Sequence, residues 1–375
     1  MADLQEIFRQ HGDDYRQNHA LSMEQGKAVC SILSCRTAAL GAHVSRCDEC
    51  GYEQISYNSC RNRHCPKCQS FAKEIWIDRQ RQNLMNTQYF HVVFTVPSEL
   101  HPLFYQNQRR MYSLLFKAAS ETMLELCADP KHLGAKPGIT AVLHTWGQNL
   151  SYHPHLHCIV TGGGLTGELR WKNSRRKFFL PVKMVSRKFR GKLLHYLRKE
   201  SLAFFGTVKH LSDQRDFALF IDSLYKKEWV VYSKKPFGNA ENVIKYLGRY
   251  THRVATSDSR ILSLENGGVS FLWRDYRSGG KNKIMVLTAE EFIRRFLMHV
   301  LPSGFCKIRH FGLFAPRDKT TRLFLCRRLT RTKSPGPTAH SPLEKLTLIL
   351  GEEWNLCPCC GTGHLCRDPP IDQTA

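Results

Sequence analysis

Apolar and polar positions along the chain predict a mixed succession of elements. Residues 1–28 read as helical, with Leu4, Ile7 and Phe8 on one face. Residues 30–70 lack helical period and are rich in Cys, Arg, Asn and Ser. A helical stretch at 71–86, with Ile75, Ile77 and Leu84 among polar residues, precedes the run YFHVVFTV at 89–96. That run is β-branched and aromatic, so it reads as a strand ended by Pro97. A long helix at 105–127 and strands near 139–145 and 156–161 follow. The three glycines 162–164 read as a turn into a short strand at 168–171. Further helices are expected at 183–204, 240–251 and 289–299. A strand is expected at 228–232, and hairpin strands over 260–287 around Asn266-Gly267-Gly268 and Gly279-Gly280. Residues 331–342, RTKSPGPTAHSP, are linker-like.

This order implies an α+β fold. Three regions are expected: a helix and metal-stapled module over 1–70, a central domain over 71–330, and a linker with a Cys-rich tail over 331–375. A chain of 375 residues is long enough for a sizeable core. At 42 % hydrophobic and 23 % charged residues, disorder is not expected. The charge balance is unusual. Against 55 Lys and Arg stand only 32 Asp and Glu, a net +23, which points to a polyanionic partner. No window approaches the length of a membrane-spanning apolar run. The N-terminus has neither a basic n-region nor an apolar h-region, so a reducing, cytoplasmic compartment is expected. The 15 cysteines are then metal ligands or buried thiols rather than disulfides.

Cys47-x-x-Cys50 and Cys65-x-x-Cys68 are paired knuckles at a spacing that suits tetrahedral zinc. Together they are expected to form one structural zinc site. Cys60 and His64, with Cys30, Cys35 and His43, are left over; they supply part of a second site or are ordinary core and surface residues. In the tail, Cys357 and Cys360 make a zinc half-site. His364 and Cys366 are candidates to close it, although their spacing is awkward, and a non-functional tail is the competing reading. Arg46, Arg61, Arg63 and Lys67 crowd cations around the first knuckles. They balance the charge of a thiolate site or face nucleic acid.

The segment HTWGQNLSYHPHLHCIV holds His155-Leu156-His157. On a strand, these two imidazoles share a face while Leu156 points into the core. Two such ligands suit a divalent metal. His144 on the preceding strand is the expected third, with Gln148 as competitor. Tyr246 and Tyr250 are spaced i, i+4, hence on one helix face, amid Lys245, Arg249 and Arg253, which suit phosphate contacts. A tyrosine hydroxyl is a feasible nucleophile toward a metal-polarised phosphodiester. Two core aromatics are the plain alternative.

Four segments, RTAALGAHVSRCDECGYEQISYNSCRNRHCPKCQ, HTWGQNLSYHPHLHCIVTGGGL, KYLGRYTHRV and FLMHVLPSGFCKIRHFGLF, occur in this order, spread over about residues 25–330. With them the chain resembles the rolling-circle transposases of bacterial insertion sequences. These are two-tyrosine members of the HUH superfamily with an N-terminal zinc-binding domain. The resemblance implies an antiparallel sheet flanked by helices, with His155 and His157 on a central strand as ligands of Mg²⁺ or Mn²⁺. It implies that Tyr246 attacks a scissile phosphate in single-stranded DNA, leaving a 5′-phosphotyrosine and a free 3′-OH, and that Tyr250 is the second nucleophile. The implied partners are single-stranded DNA at element ends, target DNA and host replication or helicase proteins, in the bacterial nucleoid. No G-x-x-x-x-G-K-[ST] loop is present, so strand displacement falls to those host proteins.

A plasmid replication initiator or relaxase would share this chemistry and differ in its flanking DNA. A non-catalytic zinc-dependent nucleic-acid-binding regulator would not need the histidine and tyrosine pairs together. The charge excess makes one prediction. DNA affinity should fall steeply between 50 and 200 mM salt, by a factor on the order of 10³ if about six phosphates are contacted. A flat salt titration would contradict a phosphate-contacting role.

Overall fold

A computed structural model describes residues 2–174, 180–234, 242, 243, 246, 248, 255–275, 278–333, 344, 346, 347, 350, 351 and 353–367. Its centre is an antiparallel sheet built from β3 (Tyr89–Thr95), β4 (Lys136–Trp146), β5 (Tyr152–Leu165), β6 (Trp171–Asn173), β7 (Val231–Lys234) and β11 (Ile308–Gly312). The strand order is β11-β4-β5-β3-β7, with β6 pairing to the end of β5. The predicted turn at 162–164 is instead part of β5. A Cβ at Gly163 would meet Trp171 at 2.7 Å, and one at Gly164 the Lys136 carbonyl oxygen at 2.5 Å. Glycine here serves close strand packing rather than a reversal.

Register assigns the two faces of this sheet. Leu143 pairs with Leu156, and Leu156 with Phe94. With Phe90, Val92, Ile139, Cys158 and Val160 they form an apolar face. It packs on α4 (His101–Gln106), α5 (Gln108–Ala128) and α6 (Val182–Leu197) through Phe104, Met111, Leu115, Phe189 and Leu193. Burying each such side chain stabilises by about 1.5–3 kcal/mol. The opposite face carries His91, His144, His155 and His157.

The N-terminal helix predicted over 1–28 is two helices, α1 (Leu4–Asn18) and α2 (Met23–Ser34). Asp3 caps α1, and Ser22 with Gln25 forms a reciprocal capping box that restarts the chain as α2. Leu4, Ile7 and Phe8 do share a buried face. They pack against a second sheet, β8 (Ile261–Glu265), β9 (Gly268–Asp275) and β10 (Lys281–Thr288), and the helix α8 (Ala289–Leu297). Phe8 meets Phe296 edge-on at 5.8 Å. Helices α7 (Gln214–Lys226) and α9 (Lys319–Leu329) add to the predicted set. A third small sheet joins the chain ends: β1 (Ala42–Cys47), β2 (Glu53–Tyr57) and β12 (Leu365–Arg367), with β1 in the middle. Helix α3 (Pro66–Arg81), with Pro66 at its first turn, connects this region to β3. The helix expected at 240–251 and the linker at 331–342 lie largely outside the described residues.

His299 locks the junction between the two larger sheets. Its Nδ1 lies 3.1 Å from Thr145 Oγ1, and its Nε2 is 3.1 Å from the Leu150 carbonyl. The carbonyl only accepts, so Nε2 carries the proton and Nδ1 accepts from the threonine hydroxyl. Complete burial pushes this imidazole down to about 4. The unfolded chain therefore binds a proton below about pH 6.5 that the folded chain refuses. This stability is present above pH 6.5 and lost as pH falls toward 4. Guanidinium unfolding at pH 7 and pH 5 should show a smaller loss for His299→Gln than for the wild type. Equal losses would reject the assignment.

Candidate functional site: a histidine face and two cysteine clusters

Pairing of β4 with β5 puts His144 opposite His155 and Val142 opposite His157. Alternation along β5 then sets His155 and His157 on one face, and Leu156 is fully buried on the other. One ring nitrogen from each of His144, His155 and His157 falls within a common span of 4.8 Å. Gln148 lies in the turn after β4, its backbone carbonyl accepting from Arg260 at 2.6 Å. The three imidazoles are buried, and His144 stacks on Trp146 with ring centres 4.5 Å apart.

Hydrogen bonds fix the tautomers. His155 Nδ1 donates to the His153 carbonyl at 2.6 Å, which leaves Nε2 as a lone pair 3.1 Å from His157 Nε2. Burial, reinforced by His153 and His101, holds His155 down to about 3. It is neutral throughout the physiological range, as a metal ligand must be. His91, on β3 diagonal to His157, extends the row: its Nε2 is 2.8 Å from His157 Nδ1. Its Nδ1 is 3.3 Å from the hydroxyl of Tyr246. The sequence gives one signal for His91, a lone imidazole inside the apolar run YFHVVFTV, and its role becomes visible only through the strand register.

Tyr246 is helical and half-buried, and it packs on the cluster of Tyr89, Val142, Ile159 and Val243. Two residues later, Gly248 permits the close approach to α3. A Cβ there would stand 2.3 Å from Ile77 Cδ1. The histidine face, Tyr246 and α3 are thereby packed together. Tyr250, Lys245, Arg249 and Arg253 lie outside the described residues. Of the two arginines near the first knuckles, Arg61 is exposed. Arg63 is half-buried, its guanidinium depressed by burial; burial, with the nearby Arg63 as the smaller cause, pushes the Lys307 ammonium down to about 7. Lys67 is engaged by Asp3 at 2.8 Å and Arg46 by Glu53 at 2.6 Å.

The four knuckle cysteines do not converge on one centre. Cys65 and Cys68, at the start of α3, meet Cys35 and Cys60 instead. The sulfurs Cys35–Cys68, Cys60–Cys68 and Cys35–Cys65 are each 3.6 Å apart. Cys47 and Cys50, at the β1–β2 turn, meet Cys357 and Cys360 of the tail. The reason is geometric: the β1–β2 hairpin carries its turn to one end of the small sheet, while α3 starts beside the end of α2. The sequence sees only the local pairs. Four sulfurs on a tetrahedral ion with bonds of about 2.3 Å stand about 3.8 Å apart, close to the spacing seen. A disulfide would need about 2.05 Å.

His64 is not a ligand. It accepts from the Leu301 N–H at 3.1 Å through Nε2, and its Nδ1 lies 3.2 Å from Asn62 Oδ1, so both nitrogens are taken. His364 and Cys366 are exposed and stand outside both clusters. Cys366 pairs with Arg46 across β12–β1 and shares its solvent face.

The Cys35, Cys60, Cys65 and Cys68 cluster ties α2 to α3. Stripping its metal with a strong chelator, or Cys68→Ser, should lower the thermal midpoint by several degrees, since the metal's binding free energy is part of the folding free energy. The exposed Cys30→Ser should leave it unchanged. No shift on chelation would deny the cluster a stabilising metal.

Comparison with known proteins assigns the family. A family model described as "Putative transposase" matches residues 138–322. A second, described as "Transposase zinc-binding domain", matches residues 7–96. The chain is 45 % identical over 373 residues, 97 % of its length and 94 % of the relative's, to the protein named "Putative transposase y4qJ" of Sinorhizobium fredii. It is 29 % identical over 344 residues, 89 % of its length and 81 % of the relative's, to "Transposase for insertion sequence element IS801" of Pseudomonas savastanoi pv. phaseolicola. Residues 138–322 contain the histidine pair and Tyr246, and residues 7–96 contain both knuckle pairs and His91. The chain belongs to the IS91-like insertion-sequence transposases, enzymes that act on DNA, with a zinc-binding domain at its N-terminal end.

Proposed function

We propose that this transposase cleaves and joins single-stranded DNA at the ends of its element through 5′-phosphotyrosine intermediates, as rolling-circle-type transposition requires. The observation that carries the proposal is the hydrogen-bonded row from His157 through His91 to the Tyr246 hydroxyl, beside the His144 and His155 nitrogens. Cis ligands on an octahedral ion with bonds of about 2.1 Å stand about 3.0 Å apart. The His155–His157 spacing of 3.1 Å fits. Bound there, Mg²⁺ or Mn²⁺ supplies Lewis-acid polarisation of the scissile phosphate.

The protein's own groups do the rest. With its Nε2 lone pair turned to the cation, His157 keeps its proton on Nδ1 and donates to His91 Nε2. His91 then carries its proton on Nδ1 and donates to the Tyr246 oxygen, orienting it and stabilising negative charge on it. The Tyr246 hydroxyl releases its proton to solvent, and its oxygen bonds to phosphorus as the bond to the 3′ oxygen breaks. That 3′ oxygen takes up a proton from solvent and leaves as a 3′-OH. The phosphodiester energy is retained in the tyrosyl ester, so rejoining by a 3′-OH needs no nucleotide cofactor. Tyr250, i+4 from Tyr246, is the second nucleophile in this reading, with Lys245, Arg249 and Arg253 on the phosphates. The DNA partners are element ends and target DNA. Strand separation falls to host replication and helicase proteins, in the cytoplasm at the nucleoid.

The test uses end-labelled single-stranded DNA carrying the element terminus, with Mn²⁺ or EDTA, read on denaturing gels. A metal-dependent covalent adduct, absent in Tyr246→Phe/Tyr250→Phe, is expected. His91→Ala should slow adduct formation about 10- to 100-fold, the usual cost of removing a partner that orients a ligand. Tight binding without an adduct at any terminus would return the tyrosines to a packing role.

A further inference from the structure

We propose that Cys47, Cys50, Cys357 and Cys360 hold a second structural zinc ion, which clasps the C-terminal tail to the N-terminal hairpin and makes the tail an integral half of the zinc module. The matched zinc-binding region ends at residue 96, whereas two of these ligands lie more than two hundred residues beyond it. Sulfur separations cross the two knuckles in pairs. Cys47 is 3.7 Å from Cys360, and Cys50 is 3.7 Å from Cys357. Both agree with the ~3.8 Å edge of a zinc tetrathiolate and exclude a disulfide.

The two half-sites are built alike. Each reads C-x-x-C-G, 47–51 and 357–361. Each closing glycine donates its N–H to the carbonyl of the first cysteine, Gly51 to Cys47 at 3.2 Å and Gly361 to Cys357 at 3.0 Å. Each sits in the left-handed region, at φ +71° and +72°. Backbone N–H groups aim at sulfur in both knuckles: Cys50 at Cys47 Sγ, 3.5 Å; Cys359 at Cys357 Sγ, 3.4 Å; Gly363 at Cys360 Sγ, 3.3 Å. Such donors favour thiolate over thiol, the form a metal takes.

Two further observations do not depend on the sulfur–sulfur distances. Gly363 is buried between the halves, and a Cβ on it would stand 2.5 Å from Cys47 Sγ. Only glycine lets the tail come this close. Its neighbours seal the contact: the His364 N–H donates to Asp48 Oδ1 at 2.7 Å, and Thr362 Oγ1 to Glu49 Oε2 at 2.6 Å. The small sheet also has no apolar interior. Across β1, β2 and β12, Cys47 is the one buried residue, while Ile55 and Tyr57 are exposed. Three short strands without a core do not hold together in water, and here an ion takes the place of the core. The clasp joins residues 307 and 313 apart in sequence.

Metal content of the purified full-length protein, measured by plasma mass spectrometry, tests this. Two zinc ions per chain are expected. Cys357→Ser/Cys360→Ser and Cys47→Ser/Cys50→Ser should each retain one, as should Cys65→Ser/Cys68→Ser through loss of the other centre. Cys359→Ser/Cys366→Ser, in the same tail, should retain two. Gly363→Val, which removes no ligand, should drop to one. Should the cysteine variants fail to fold, cobalt-substituted wild type decides: its thiolate-to-cobalt absorption should correspond to two tetrathiolate sites per chain. One zinc in the wild type, two in the Cys357/Cys360 variant, iron in place of zinc, or one cobalt tetrathiolate would overturn the clasp.

Discussion

Everything at the histidine face depends on one pairing, β4 against β5. A slip of one residue would turn His155 and His157 into the packed helical layer and bring Leu156 to the open side. The slip is prevented by the other face, where Leu143, Leu156 and Phe94 are fused into the main core. Packing on one side of a single sheet thus holds the imidazoles in place on the other. The same ladder runs on to β3 and positions His91 between His157 and Tyr246.

Away from that sheet the chain relies on sulfur. The helix α1 is anchored by ordinary burial, Phe8 on Phe296, and α2 packs beside it. The small sheet has nothing comparable, and the cluster of Cys47, Cys50, Cys357 and Cys360 lies where apolar burial runs out, whereas Cys35 and Cys65 belong to the core around α1 and α2. The cluster with Cys35 and Cys65 sits where α2 meets α3; the other joins the tail to the β1–β2 turn. Their positions brace the segments that lead into β3, the strand carrying His91. Cations near the clusters are largely committed to local work. Lys67 and Arg46 are held by carboxylates, and Arg63 is packed beside Lys307.

Much of the fold was legible because it is local. The alternation in HPHLH forecasts a shared histidine face, and the β-branched run at 89–96 forecasts β3. The hairpins at 260–287 follow from their Asn-Gly and Gly-Gly turns. Errors arose where a local signal serves a distant partner. Three successive glycines usually mean a turn, but at 162–164 they admit Trp171 and the Lys136 backbone. His64 has the look of a ligand beside Cys65, yet its nitrogens serve Leu301 and Asn62.

The sequence by itself determined the α+β class, the cationic character, the histidine pair, the tyrosine at 246 and the presence of knuckles, since each is written within a few residues. Tertiary structure alone decided which cysteines share a centre, that His91 links His157 to Tyr246, and that the tail pairs with β1. Knuckle spacing records how two sulfurs sit on one turn. It carries no information about which other turn the folded chain brings to meet them.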